Sequence, residues 1–127
     1  MIRTPRGVGL LKLDPYPYSV LWSHNITPAQ VAAFNRLNPK LVGPQDLDRG
    51  NCTARTYWTD RYAWLVFFER PTWESVIHEC CHAVGACFRY IEATGEVHIG
   101  GEVEAYLLGH LAARVGADLK ASPRVEK

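Results

Sequence analysis

The amino-acid sequence predicts an α+β domain in which a small mixed or antiparallel sheet packs on a long helix and a C-terminal helix. Three observations carry that expectation. Apolar, β-favouring runs of strand length lie at residues 8–13, 18–23, 53–59 and 62–69. A capped segment at 72–93 repeats its apolar residues at helical spacing, and a second helical pattern follows at 102–119. The chain has 127 residues, 47% of them apolar, which suits one domain with its own core and argues against disorder.

Taken in order, residues 8–13 form a short strand that Asp14-Pro15-Tyr16-Pro17 ends, because each proline removes a backbone donor. Residues 18–23 form a second strand. Thr27-Pro28 opens a helix, with Thr27 as N-cap and Pro28 at the first helical position, and the helix stops before Pro39. Residues 40–51 hold Gly43-Pro44 and Asp48-Arg49-Gly50-Asn51 and read as loop. Runs 53–59 and 62–69, separated by Asp60-Arg61, predict a β-hairpin. Its second strand is nearly all apolar, as a strand covered on both faces should be. Thr72 caps the long helix and Glu74 sits in its first turn, where the helix dipole favours negative charge. The last helix spans 102–119, with Gly116 as a possible earlier end, and residues 121–127 form a polar tail. Residues 1–60 thus supply strands, helix and loop, and 62–119 supply the core that carries the chemistry.

The net charge of +1 gives no basis for a nucleic-acid or anionic-membrane partner, and no apolar run reaches the length of a membrane span. The apolar stretch after the first two arginines is short for a signal peptide and lacks a small-residue cleavage site. Four cysteines occur, three of them in one predicted helix, which is not a disulfide framework. These features predict a cytoplasmic protein. Cys80, Cys81 and Cys87 are expected in the core, Cys52 in a loop, and Trp22, Trp58, Trp64 and Trp73 in the core.

The long helix carries His78-Glu79-Cys80-Cys81-His82. Residues four apart share a helix face, so both imidazoles can address one metal ion, with Glu79 beside them to act on a water. Val76, Cys80, Val84, Cys87 and Ile91 form an apolar stripe, extended by Ile77, Cys81 and Phe88. Gly85 and Ala86 leave room for another element. A catalytic zinc usually takes three protein ligands. Position 88 is Phe88, so a third histidine six residues after His82 is absent. Glu102 and Glu104 both qualify instead. Glu102 is favoured because it shares a face with Tyr106, Gly109 and Ala113, whereas Glu104 shares one with Leu108, Leu111 and Val115.

These residues resemble the gluzincins, zinc peptidases with HExxH on one helix and a glutamate on the next. Glu102 stands 24 residues after His78, the spacing of thermolysin-like members. The run Glu102-Val103-Glu104-Ala105-Tyr106-Leu107 is also similar to a stretch of minimal gluzincins and small HExxH proteins of bacteriophage genomes. The resemblance covers residues 62–115. It implies a minimal zincin-like domain with zinc (Zn2+) held by His78, His82 and Glu102, and Glu79 as general base. Tyr106, His98, His110 and Tyr90 are candidate donors to the oxyanion. The substrate it implies is a peptide or protein, which strand 62–69 could receive along its edge. An alternative is a zincin-like zinc-binding protein of weak or no activity, acting as a phage assembly component or interaction module. The resemblance departs at the third ligand, where the Asn-Glu-x-x-Ser-Asp form is missing and Tyr106 stands in place of an aspartate.

Overall fold

In the computed structural model the chain is α+β, with one small mixed sheet of four strands and three helices among the described residues. The structure describes residues 1–45, 47–93 and 101–122, without the side chains at 91–93, 101 and 102. Strands β1 (Gly9–Lys12), β2 (Ser19–His24), β3 (Ala54–Trp58) and β4 (Tyr62–Phe67) lie in the order β1-β2-β4-β3. β1 and β2 pair antiparallel, as do β3 and β4. The central pair, β2 with β4, is parallel.

Helix α1 (Pro28–Leu37) covers one face of the sheet. Its start is a capping box: Thr27 Oγ1 accepts from Gln30 N, and the Gln30 side chain accepts from Thr27 N at 2.8 Å. Phe34 packs edge-on to Trp64 at 4.9 Å between centroids and lies beside Tyr62 at 5.7 Å. Helices α2 (Trp73–Ala93) and α3 (Gly101–Asp118) cover the opposite face. There Val20, Trp22, Ala63, Leu65 and Phe67 meet Val76, Cys80, Val84 and Cys87 of α2 and Leu107, Leu111 and Val115 of α3. Every residue of β4 is buried, which its continuous apolar run foretells.

Thr72 caps α2 by accepting from Ser75 N at 3.1 Å, and Ser75 Oγ accepts from Thr72 N at 3.0 Å. The end of α3 is fastened to this cap. Trp73 N donates to Ser122 O at 2.8 Å, and Gly116 lies against the Trp73 ring. Gly116 therefore continues the helix and serves as the point of close approach. The two helices run antiparallel, α2 over β3 and β4 and α3 toward β1.

Three expectations need correction. Strand β4 offers no edge, because β2 and β3 flank it; the sheet ends at β3 on the side of α2. Cys81 and Ile77 are exposed, since they lie at the solvent margin of the apolar stripe rather than within it. Trp58 is 51% exposed at the end of the edge strand, while Trp22 and Trp64 are buried. None of the helices among the described residues is long and apolar enough to cross a membrane.

Candidate metal centre

Helix α2 turns His78, His82 and Arg89 outward and turns Glu79 toward β3. His78 Nε2 and His82 Nε2 stand 3.3 Å apart, with ring planes 78° from each other. Both rings are exposed, and two hydrated imidazoles gain little from touching each other. Two nitrogens on one tetrahedral zinc, each at 2.0–2.1 Å, would be separated by about 3.3 Å. The pair therefore fits two positions of such an ion.

Glu79 is the buried member of the motif, 6% exposed. Its Oε1 accepts from Thr56 Oγ1 at 2.7 Å. Thr56 sits on β3, so the edge strand holds the carboxylate in place. Oε2 remains on the histidine side, 3.9 Å from His78 Nε2. A carboxylate this enclosed needs a hydrogen-bond partner, and the Thr56 hydroxyl supplies one. The spacing of the motif gives no sign of Thr56, which lies 23 residues before Glu79 and is brought there by the hairpin.

Cys80 and Cys81, between the histidines, have opposite surroundings. Cys80 is fully buried, and burial pushes its thiol up to about 12. Cys81 faces solvent. Gly85 opens the outward face one turn further on: a methyl placed there would meet nothing within 4 Å.

The remaining sequence-derived residues are placed as follows. Glu102 lies in the first turn of α3, and its side chain is outside the described residues. The face offered as its packing ground is exposed instead: Tyr106 is 75% exposed, Ala113 faces solvent, and a methyl on Gly109 would find open space. The cause is that Leu107, Leu111, Ala112 and Val115 already fill the buried side of α3. Glu104 is half-buried and His110 exposed. Tyr90 is half-buried near the far end of α2, beside Tyr18, and His24 is exposed at the end of β2. His98 falls outside the described residues. Among the described residues no group of three His, Cys, Asp or Glu side chains is gathered to hold a metal ion.

Comparison of the chain with family models, curated proteins and solved structures found no match.

Proposed function

We propose that this protein is a zinc-dependent peptidase with a zincin-like site, in which His78 and His82 anchor the ion and Glu102 completes its protein ligands. The observation that carries the reading is the 3.3 Å separation of the two Nε2 atoms beside a buried carboxylate. Zinc at this position supplies Lewis acidity to a water and to the scissile carbonyl. Glu79 accepts the water's proton on Oε2, the oxygen that Thr56 leaves uncommitted, and later delivers it to the departing amine. Tyr106, exposed on α3, donates to the oxyanion. A protein substrate reaches the site from solvent, since both histidines and Tyr106 face outward. The proposed setting is the cytoplasm.

Glu79→Gln is the discriminating variant. It should keep its zinc and lose hydrolysis of a mixed peptide panel by a factor of roughly 100 or more. Wild type and variant equally inert, or equally active, would contradict the peptidase reading. The third ligand is tested by zinc affinity: Glu102→Gln should weaken it, while Glu104→Gln and His110→Ala should not.

A further inference from the structure

Further along α2 than His82, a recess of about 210 Å³ is lined by Ala86, Arg89 and Tyr90 of α2, by Trp58 at the end of β3, and by Thr59 and Asp60. That is small for a cofactor pocket, which typically exceeds about 300 Å³, and suits a single side chain. We propose that this recess is a subsite for an acidic side chain of an extended peptide, two to three residues from the bond that is cut. The position of the cut rests on the peptidase reading; the recess itself does not.

Two features argue for a carboxylate occupant. The Arg89 guanidinium lies over the exposed Trp58 ring, 5.7 Å from its centroid. Stacking uses the face of a guanidinium and leaves its in-plane N–H groups available for a carboxylate. Among the described residues no carboxylate pairs with Arg89. Asp60 also lines the recess and opposes a second acid there, so the preference is the net of Arg89 attraction and Asp60 repulsion.

The geometry of the edge strand sets the distance. Because β3 ends the sheet, an extended peptide can add to it as a further strand. Thr56 marks the level of Glu79, and Trp58, two residues on, presents its side chain on the same face. Along the strand this is about 7 Å. Along α2, Ala86 lies seven residues after Glu79, about 10 Å. A bound chain covers either distance in two to three residues.

The test uses full-length Glu79→Gln protein and amidated, fluorescently labelled ten-residue peptides. Glu, Gln, Lys or Phe is placed at each position in turn, and binding is read by anisotropy. At one position Glu should bind roughly tenfold more tightly than Gln. Adding Arg89→Gln should bring the two within about twofold, Arg89→Glu should shift the preference to Lys, and Asp60→Asn should enlarge the Glu preference. Arg89 is exposed, so these changes leave the core untouched, as circular dichroism would verify. No binding, no Glu preference, a preference unmoved by Arg89→Gln, or one that appears only with a free peptide C-terminus would overturn the subsite. An Arg89-dependent Glu preference in a protein whose wild type cuts nothing would retain the subsite and remove the peptidase reading. Cleavage without any acidic preference would do the reverse.

Discussion

Glu79 owes its setting to a threonine on another element. With Thr56 removed, a buried carboxylate oxygen loses its donor, and such groups cost about 1–3 kcal/mol when left unsatisfied. Thr56→Val should therefore lower stability to urea by about that amount, while Thr56→Ser, which keeps the hydroxyl, should stay within about 0.5 kcal/mol of wild type. The cysteines give a second residue-scale prediction. Iodoacetamide at neutral pH should label Cys81 first and half-buried Cys52 more slowly. It should reach buried Cys80 and Cys87 only after unfolding, as peptide mass mapping would show. At this scale the sequence was legible where spacing carries the geometry, as for His78 and His82. It was silent where a partner comes from a distant strand, as Thr56 does. It misled for Cys81 and Trp58, because an apolar residue at the margin of a buried stripe looks the same in sequence as one inside it.

Elements were read most accurately where capping chemistry marks their ends. Thr27-Pro28 and Thr72 set the starts of α1 and α2, and α1 begins at Pro28 and ends before Pro39 as the sequence predicts. Glycines are harder to read, since one letter serves as a helix end, a gap or a contact. Helix α3 contains two of them with opposite surroundings. A methyl at Gly116 would fall 2.1 Å from the Trp73 ring, whereas one at Gly109 meets nothing within 4 Å. Gly116→Ala should destabilise by about 1–3 kcal/mol by forcing α3 from the start of α2. Gly109→Ala should stabilise by about 0.5–1 kcal/mol through helix propensity alone. Equal effects in denaturant titrations would contradict the α2–α3 packing described above.

At the scale of the whole molecule, the apolar run of β4 foretold a strand covered on both faces, and the core clusters show α1 on one side with α2 and α3 on the other. What the run could not convey is its neighbours along the sheet. Parallel pairing with β2 joins segments some 40 residues apart, and no turn signal encodes it. The same central position buries Tyr62, whose hydroxyl donates to Val42 O, and burial pushes its phenol up to about 12 from 10.0. A raised acid pKa means that the neutral form is favoured by folding. Its stabilisation is complete below pH 10 and is lost as pH rises toward 12. Unfolding free energies measured between pH 9 and 11.5 should fall less steeply in Tyr62→Phe than in wild type. An identical slope would show that the Tyr62 phenol is not buried against Val42 O as described.

Metal content is the most direct test of the site on which the proposed function rests. Protein purified without chelators and analysed by mass spectrometry of its elements should carry about one zinc per chain, and His78→Ala/His82→Ala should carry none while remaining folded. Wild-type protein that is folded, free of zinc and unable to take it up at micromolar concentration would contradict the proposed metal centre.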